Sequence, residues 1–436
     1  MSVPIVAIIG RPNVGKSTLF NRIIRKPLAI TDDRPGVTRD RNARIFEWNS
    51  RAFMLIDTGG FVFSSRDTME QAVAEQSRLA IDEAHLVLFL VDVKSGVTDL
   101  DGQIADMLLK SGKPVVLGVN KVDRRRDESD AYEFYNLGLG EPMPVSGATG
   151  RGTGDLLDAL VDSLPAETEN GVDDAETLKI ALIGRPNVGK SSIVNSLTGR
   201  NSVLVTDVPG TTRDSIDTVL TYDDRKIILV DTAGLRKTTK LRESLEYYSS
   251  LRTIRSLNRC DIAIVVIDID EGLTSYDKRL VDDAEDAGKG IIIAANKWDL
   301  VPKDHSTLMR YERDIYDAFP DKKPYPVMFV SALNGKRIGK LIETAAAIDG
   351  RRRFRVQTAD LNRFIENLGT PPGFSDIRLL YATQYTVNPP SFAVFVNDVR
   401  LVKTNFRRFV ENRLREAFDF NGTPVRLSFK GRKRPK

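Results

Sequence analysis

The chain has 436 residues, of which 41% are hydrophobic and 28% charged. This composition is typical of globular domains with sizeable cores, and the length predicts about three domains of roughly 150 residues. No run approaches the roughly 20 apolar residues that cross a bilayer, so we expect a cytoplasmic protein with no membrane partner. One cysteine and two histidines exclude disulfides and a cysteine-rich metal site and argue against histidine-based triads. The lone Cys260 precedes an apolar run and is expected to be an inert core thiol.

Charge is distributed unevenly along the chain. Residues 351–436 contain 18 Lys and Arg against 7 Asp and Glu, a net charge of +11. The rest contains 46 basic and 53 acidic residues, a net charge of −7. A basic end on a mildly acidic body predicts a polyanionic partner for that end.

One segment, Gly-Arg-Pro-Asn-Val-Gly-Lys-Ser, occurs at 10–17 and returns 174 residues later at 184–191. So long a period indicates a duplicated domain. Both copies fit the phosphate-loop pattern, in which backbone N–H groups and the start of the next helix surround phosphate oxygens. The loop lysine would reach the outer phosphates, and the serine after it would ligate Mg²⁺. The predicted loop residues are Gly10, Asn13, Val14, Gly15, Lys16, Ser17 and Thr18, and then Gly184, Asn187, Val188, Gly189, Lys190, Ser191 and Ser192.

Apolar segments alternate with helical stretches in both copies. The first copy has predicted strands at Val3–Ile9, Phe53–Ile56, Leu86–Val91, Val115–Val119 and Met143–Val145. The second has them at Lys179–Ile183, Lys226–Val230, Ile262–Ile267, Gly290–Ala294 and Pro326–Val330. This alternation predicts an α/β fold class: two tandem P-loop domains, each a parallel-rich sheet with helices on both faces, and a small C-terminal α+β domain. Such sheets bind ligands beyond the carboxyl ends of their strands.

An acidic motif follows a predicted strand in each copy. Asp57 and Asp231 would hold Mg²⁺ through its water shell, while the backbone N–H of Gly60 or Gly234 would meet the γ-phosphate. A strand-ending turn explains an isolated match equally well, but the motif recurs at the same offset from the loop.

A polar Pro-Gly segment lies between the loop and the acidic motif in each copy. Thr38 and Thr212 occupy equivalent places there and would complete the metal shell from a segment that orders around the γ-phosphate. The alternative is an ordinary Pro-Gly turn. The predicted Mg²⁺ ligands are therefore Ser17, Thr38, Asp57, Ser191, Thr212 and Asp231.

An Asn-Lys-x-Asp segment, at 120–123 and 296–299, follows the next buried strand of each copy. The carboxylate of Asp123 or Asp299 would accept from guanine N1–H and the exocyclic amine, a pair that adenine lacks; a site so built rejects the wrong base. An isolated match would equally mark an exposed turn, and the serine segments downstream would equally be simple strand-to-helix turns. The predicted base-binding residues are Asn120, Lys121, Asp123, Ser146 and Gly147, and then Asn296, Lys297, Asp299, Ser331 and Ala332.

Together these motifs resemble those of the bacterial Der (EngA) GTPases, which have two tandem G domains and a C-terminal KH-like RNA-binding domain. Era and the tRNA-modification GTPase are similar but have one G domain each. The resemblance implies a GTP-hydrolysing switch in assembly of the large (50S) ribosomal subunit. The implied partners are GTP or GDP, rRNA and ribosomal particles, with no DNA expected.

The same resemblance implies slow hydrolysis assisted by K⁺. Phe61 and Leu235 stand where Ras-like proteins have a catalytic glutamine, and neither side chain can orient a water. Asn13 and Asn187 match the asparagine that coordinates K⁺ in related GTPases. The implied catalytic residues are Lys16, Thr38, Gly60, Lys190, Thr212 and Gly234.

Composition changes place the domain boundaries. The predicted segments are the first G domain at 1–164, an acidic linker at 165–178, the second G domain at 179–350, a KH-like domain at 351–429 and a basic tail at 430–436. The last domain has no Gly-x-x-Gly loop between helices, which argues against sequence-specific clamping of a single strand.

The C-terminal domain has its own predicted elements. They are helices at Thr358–Asn367 and Lys403–Phe418, and strands at Asp376–Tyr385, Ser391–Asn397 and Pro424–Phe429. The apolar residues of the second helix are expected in the core. Its arginines, with Arg351–Arg353 and the tail, favour contact with rRNA phosphates over a merely solvated face.

Two other functions are weighed against the switch. One is an RNA-binding scaffold in which one G domain binds guanine nucleotide only structurally. The other is a metabolic kinase, which the guanine motifs disfavour.

Overall fold

The computed structural model describes residues 4–24, 43–58, 77–78, 80–82, 84–165, 177–199, 204–207, 217–222, 225–232, 253–302, 306–319, 325–369 and 374–431. The chain divides into two compact units, Met1–Asp174 with Thr239–Asn258, and Ala175–Thr238 with Arg259–Lys436. Most of the acidic linker (166–176), the end of the tail (432–436) and four predicted site residues, Thr38, Gly60, Thr212 and Gly234, lie outside the described residues.

A six-stranded sheet forms the centre of the first unit. Its strands are β1 (Ile5–Ile9), β2 (Ala43–Trp48), β3 (Arg51–Asp57), β4 (Leu86–Asp92), β5 (Val115–Asn120) and β6 (Pro142–Pro144), in the spatial order β2-β3-β1-β4-β5-β6. The described helices of this unit include α1 (Lys16–Ile24), α2 (Asp99–Ser111) and α3 (Thr153–Ser163), with 3-10 segments at Val93–Ser95 and Arg125–Leu137. Successive residues of β1 enter two separate hydrophobic clusters, because side chains alternate between the faces of a strand. Both faces of the sheet are therefore buried.

The second unit repeats this architecture with one more strand. Its strands are β7 (Leu178–Ile183), β8 (Leu204–Asp207), β9 (Thr218–Tyr222), β10 (Arg225–Val230), β11 (Ile262–Asp268), β12 (Gly290–Asn296) and β13 (Val327–Phe329), in the order β13-β12-β11-β7-β10-β9-β8. The helices given bounds are α4 (Lys190–Thr198), α5 (Ser275–Asp286), α6 (Thr307–Asp317) and α7 (Ile338–Arg353). The predicted α/β class with parallel-rich sheets is confirmed.

Strands β2, β8 and β9 are absent from the sequence prediction. β2 and β8 are edge strands and β9 lies between β8 and β10. All of their pairings are antiparallel, so both sheets are mixed. The β2-β3 turn has Asn49 and Ser50 at φ of 49° and 63°, as a two-residue hairpin turn requires. The expected alternation of strands with helices could not predict such strands, because β2 and β3, for example, follow each other with no helix between them.

A three-stranded sheet forms the C-terminal part of the second unit. Strands β14 (Leu379–Val387), β15 (Pro390–Val396) and β16 (Arg426–Gly431) lie in that order, with β14-β15 antiparallel and β15-β16 parallel. Helices α8 (Thr358–Asn367) and α9 (Thr404–Ala417) accompany it, with a 3-10 turn at Val399–Leu401. Phe406 and Leu414 of α9 have no exposed surface, so the prediction that its apolar residues pack in a core is confirmed.

Backbone and arginine contacts join the second G domain to this C-terminal part. Ile291 N, at the start of β12, donates to Gly422 O at 2.8 Å. Arg352 is only 3% exposed and donates through Nη2 to Gly288 O at 3.2 Å. Arg426 Nη2 donates to Asp286 O at 2.7 Å. These contacts lie within one compact unit and fix the two parts together.

The prediction that Arg351–Arg353 contact phosphates needs correction. Arg352 is buried in this junction, because its stem packs beside Gly290. Arg351 pairs with Asp419 at 2.8 Å and Arg353 with Asp349 at 3.1 Å. Arg351 and Arg352 therefore stabilise the junction, Arg353 pairs within α7, and Arg352 cannot reach a ligand in solvent.

Cys260 is buried in the second unit. Burial raises the pKa of its thiol to about 11, so the thiol stays protonated at neutral pH and is a poor nucleophile. The expected inert core thiol is confirmed. No helix in the described part of the chain has the length and apolar character needed to cross a bilayer.

Two glycines of the second unit give a matched stability test. A Cβ on Gly290 would lie 2.5 Å from Ile262 and 2.6 Å from Ile348, whereas one on Gly350 in α7 meets nothing within 4 Å. We expect Gly290→Ala to lower the free energy of unfolding by about 1–3 kcal/mol through overpacking. Gly350→Ala should raise it by about 0.5–1 kcal/mol, because alanine restricts the unfolded chain.

The measurement is urea unfolding followed by tryptophan fluorescence. The chain has two tryptophans, and Trp298 is 4% exposed in the second unit. Both variants would be made with Trp48→Phe, so that the signal comes from Trp298. Equal effects of the two alanines would contradict the tight packing at the junction.

Candidate nucleotide-binding sites

The phosphate loops have the same backbone conformation in the two copies. Gly10 and Gly15 have φ of 154° and 97°, and Gly184 and Gly189 have φ of 152° and 96°. A Cβ on Gly10 would collide with the carbonyl oxygen of Leu90. Glycine is therefore required at position 10 both for the positive φ and for the close approach of the loop to the neighbouring strand β4.

The loop lysines bend back over their own loops. Lys16 Nζ donates to Gly10 O at 2.7 Å and to Arg11 O at 2.9 Å. Lys190 Nζ donates to the equivalent carbonyls at 2.7 and 2.6 Å. Burial lowers the pKa of Lys16 to about 8, and neighbouring Asp57 opposes that shift. Each ammonium is thus held where the helix N-terminus and the loop N–H groups favour an anion.

An asparagine joins the phosphate loop of the first copy to its base motif. Asn120 Nδ2 donates to Val14 O at 2.7 Å, and Asn120 Oδ1 accepts from Gly147 N at 2.9 Å. Asn120 is 2% exposed, so loss of either bond would leave a buried polar group unpaired. The side chain thereby braces the loop.

The second copy repeats the brace. Asn296 Nδ2 donates to Val188 O at 2.8 Å, and Asn296 Oδ1 accepts from Ala332 N at 3.0 Å. The binding of the base by these asparagines stays a prediction, to which the structure adds a bracing role in both copies. The asparagine fixes the distance between the two halves of the site.

The carboxylates predicted to select guanine are oriented by serines. Ser146 Oγ donates to Asp123 Oδ1 at 2.8 Å, and Ser331 Oγ donates to Asp299 Oδ1 at 2.5 Å. A hydrogen bond from Lys94, followed by that from Ser146, lowers the pKa of Asp123. This carboxylate is therefore ionised at neutral pH, as acceptance from two guanine N–H groups requires.

Strand-ending aspartates position the lysines of the base motifs. Lys121 Nζ donates to Asp92 Oδ2 at 2.6 Å, and Lys297 Nζ donates to Asp268 Oδ2 at 2.5 Å. The lysines have φ of 68° and 62°, a left-handed conformation in both copies. Sequence reasoning missed the two aspartates, although their equal spacing from the base motifs was a usable signal.

A cavity of about 970 Å³ brings the predicted residues of the second copy together. Its lining includes residues of the phosphate loop and of the base motif: Asn187, Gly189, Asn296, Lys297, Asp299 and Ala332. The loop and the distant aspartate therefore face one ligand-sized space.

The residues present fit a magnesium ion. Asp57 ends β3 at 2% exposure and pairs in register with Ile8, just before the loop. Ser17 lies in the first turn of α1, and Ser191 and Asp231 occupy the corresponding positions of the second copy. A carboxylate at a strand end and a hydroxyl in the first turn of the helix after the loop provide the hard oxygen ligands that Mg²⁺ takes together with water and phosphate.

The asparagines predicted to coordinate K⁺ share one geometry. Asn13 and Asn187 are exposed, each with φ of 65°. Non-glycine residues rarely adopt this conformation, although asparagine tolerates it best. The duplicated conformation places an amide at the same point on each loop.

An arginine anchors each phosphate loop. Arg11 Nε donates to Asp101 Oδ2 at 3.3 Å, and Arg185 Nε donates to Asp277 Oδ1 at 3.1 Å. Both aspartates are fully buried and belong to capping boxes that begin α2 and α5. Sequence reasoning missed them. The repeated Thr-x-x-Asp at the helix starts was the signal.

Two family models match the chain. One, described as "50S ribosome-binding GTPase", matches residues 5–121 and again 179–297. The other, described as "KH-domain-like of EngA bacterial GTPase enzymes, C-terminal", matches residues 355–430. The fold and the duplicated site thus define a GTPase with two G domains and a KH-like domain.

Curated relatives match over nearly the full length. GTPase Der of Listeria innocua is 46% identical, with 99% of this chain and 100% of that protein covered. GTPase Der of Halalkalibacterium halodurans is 46% identical over 98% of each chain. Among solved structures, Era of Aquifex aeolicus bound to GDP and aluminium fluoride has a TM-score of 0.30 and 20% identity, over 59% of this chain and 93% of Era. The chain belongs to the Der (EngA) family of GTPases, so it binds and hydrolyses GTP, and the family implies use of Mg²⁺.

The asparagine brace can be tested without nucleotide. Asn296→Ala should lower the free energy of unfolding by about 1–3 kcal/mol, because it leaves Val188 O and Ala332 N without their partner. Asn334→Ala, at an exposed position of the same cavity, should change it by less than about 0.5 kcal/mol. Urea unfolding followed through Trp298 measures both. If the two variants unfold alike, the brace does not stabilise the site.

Proposed function

We propose that the protein is a GTP-controlled switch in assembly of the large ribosomal subunit, with nucleotide state setting its docking on rRNA and ribosomal particles. The observation that carries the proposal is the combination of two equivalent nucleotide sites with a basic C-terminal domain packed on the second. Catalysis would time release from the particle.

In this proposal each predicted site residue has a defined role. Lys16 and Lys190 neutralise the outer phosphates, and the serine, threonine and aspartate ligands named above hold Mg²⁺. The backbone N–H groups of Gly60 and Gly234 meet the γ-phosphate, while Asp123 and Asp299 select guanine. Mg²⁺ would neutralise charge that develops on the phosphates during hydrolysis.

Helix α9 supplies an exposed basic surface for rRNA. Arg407, Arg408 and Arg413 are exposed on it, and cations there would contact phosphates in a manner that depends on salt. Arg415 is an exception to the prediction: it is 7% exposed and pairs with Glu411 at 2.9 Å. Three of the four arginines on this helix are therefore exposed to solvent.

One strand links the second nucleotide site with the C-terminal domain. Strand β12 begins beside the junction, where Ile291 N donates to Gly422 O, and ends at Asn296 of the brace. Its seven residues span roughly 20 Å along a rigid strand. A change at the base motif would therefore reach the C-terminal domain through a single buried element.

Co-sedimentation with ribosomal particles tests the proposal. The full chain would be mixed with particles in GDP, GTP or a non-hydrolysable GTP analogue, and we expect binding to differ by about tenfold or more between states, a typical allosteric coupling. Lys16→Ala and Lys190→Ala should each reduce that difference and lower GTP hydrolysis.

Nucleotide-independent sedimentation of the unsubstituted chain would overturn the switch and favour the RNA-binding scaffold. If one lysine variant hydrolyses GTP like the unsubstituted chain, that copy binds nucleotide only structurally.

We also propose that K⁺ at Asn13 and Asn187 assists hydrolysis. An apolar residue follows each acidic motif, so a positioned cation would supply part of the charge stabilisation that an arginine finger supplies elsewhere. GTP hydrolysis should be faster in K⁺ than in Na⁺ at equal ionic strength by about tenfold, within the effect of one electrostatic group. Asn13→Ala combined with Asn187→Ala should remove the difference, and equal rates of the unsubstituted chain in the two salts would exclude the cation.

A further inference from the structure

The C-terminal sheet has one face packed on its helices and one face turned away from them. Ala382, Phe392 and Val394 belong to the hydrophobic cluster with α8 and α9. Side chains alternate along a strand, so Tyr381, Thr383 and Phe395 lie on the opposite face. Helix α9, which carries the predicted phosphate contacts, packs on the other side of the sheet.

Aromatic side chains dominate this outer face. Tyr381 stacks on Phe395 with ring centroids 4.2 Å apart and planes 14° from parallel. Tyr381 is nevertheless 48% exposed, and Tyr385 is 54% exposed. The two tyrosines are four residues apart in β14, roughly 13 Å at the rise of a strand. Each therefore offers its ring to a separate planar group in solvent.

The charge of the face suits a polyanion. Phe395 of β15 pairs in register with Tyr381 of β14 on one side and with Lys430 of β16 on the other. Two aromatic side chains and one cation therefore lie next to each other across the three strands. Strands β14, β15 and β16 contain no Asp or Glu. The chain continues beyond Gly431 with four Lys or Arg in five residues.

We propose that this outer sheet face binds single-stranded RNA by stacking unpaired bases on Tyr381 and Tyr385, with Lys430 contacting the backbone. The proposal deepens the proposed function, on which it rests for the identity of the polyanion. Aromatic rings beside a basic groove are how proteins hold single strands with little sequence preference, since every base has a face that stacks. Bases in a duplex are already stacked and paired, so this face should bind single-stranded RNA more tightly than duplex RNA. An aromatic sheet face of this kind needs no Gly-x-x-Gly loop.

The test is binding of a fluorescently labelled oligoadenylate to the full chain, as a single strand and as a duplex with its complement. Tyr381→Ala should weaken single-strand binding about tenfold, because stacking on one ring accounts for roughly that factor. Tyr381→Phe should retain it. Duplex binding should be weaker than single-strand binding and should not change in either variant.

The first G domain offers a matched control. Tyr132 is 58% exposed and stacks on Tyr135 at 6.1 Å, so Tyr132→Ala removes a comparable exposed stacked tyrosine elsewhere. It should leave oligoadenylate binding unchanged. Lys430→Gln should lower the slope of log affinity against log salt by about 0.7, the contribution of one phosphate contact on a single strand. Tyr381→Ala should leave that slope unchanged. GTP hydrolysis and the midpoint of thermal unfolding, unaltered in all four variants, establish that they fold.

Unchanged single-strand affinity in Tyr381→Ala would overturn the inference, as would equal loss of duplex binding. Loss of particle binding by Tyr381→Ala with normal oligoadenylate binding would also overturn it, because the face would then meet a ribosomal protein. These results are independent of the nucleotide dependence of particle binding, so the sheet proposal and the switch can fail separately.

Discussion

The structure of both G domains depends on one buried asparagine in each. Asn120 ends β5 and Asn296 ends β12. Each side chain connects the phosphate loop of its domain to a residue predicted to support the base, Gly147 in the first copy and Ala332 in the second. The aspartate predicted to select guanine lies only three residues further along the chain. A single amide therefore sets the distance between the phosphate cradle and the base pocket, and both ends of a nucleotide must fit that distance. Because the hydrogen-bond partners of the asparagine are buried, moving the phosphate loop away from the base motif would leave polar groups unpaired.

Buried carboxylates also hold the arginines and lysines of the motifs in place. Asp101 and Asp277 start a helix and hold the loop arginine, while Asp92 and Asp268 hold the base-motif lysine. None of these carboxylates needs to contact nucleotide. Charge-assisted hydrogen bonds of this kind are stronger and more directional than neutral ones. Part of the rigidity of the site thus comes from residues outside the motifs by which such proteins are recognised, and both copies contain these residues.

Net charge alone is a poor guide to the surface that we propose binds RNA in the C-terminal domain. Arg352 and Arg415 are buried and serve the junction and helix α9, and Arg351 and Arg353 pair with acidic residues. Exposed cations of this domain include Arg407, Arg408 and Arg413 on α9 and Lys430 near the end of β16. A domain joined to the second G domain by backbone hydrogen bonds and a buried arginine will move with it, so the proposed RNA-binding surface and the second nucleotide site belong to one compact unit.

The sequence by itself determined the duplication, the α/β class, the phosphate loops, the base motifs and the bounds of α8 almost to the residue. These features follow from local chemistry, since glycine spacing, strand hydrophobicity and helix periodicity are written in contiguous segments. Tertiary structure alone decided that Asn120 and Asn296 brace the phosphate loops, and that β2, β8 and β9 complete the sheets through antiparallel pairs. It also decided that Arg352 is buried and that Tyr381 is not. The physical reason is that burial and hydrogen-bond partnership depend on residues distant in the chain, which no local pattern of charge or hydrophobicity specifies.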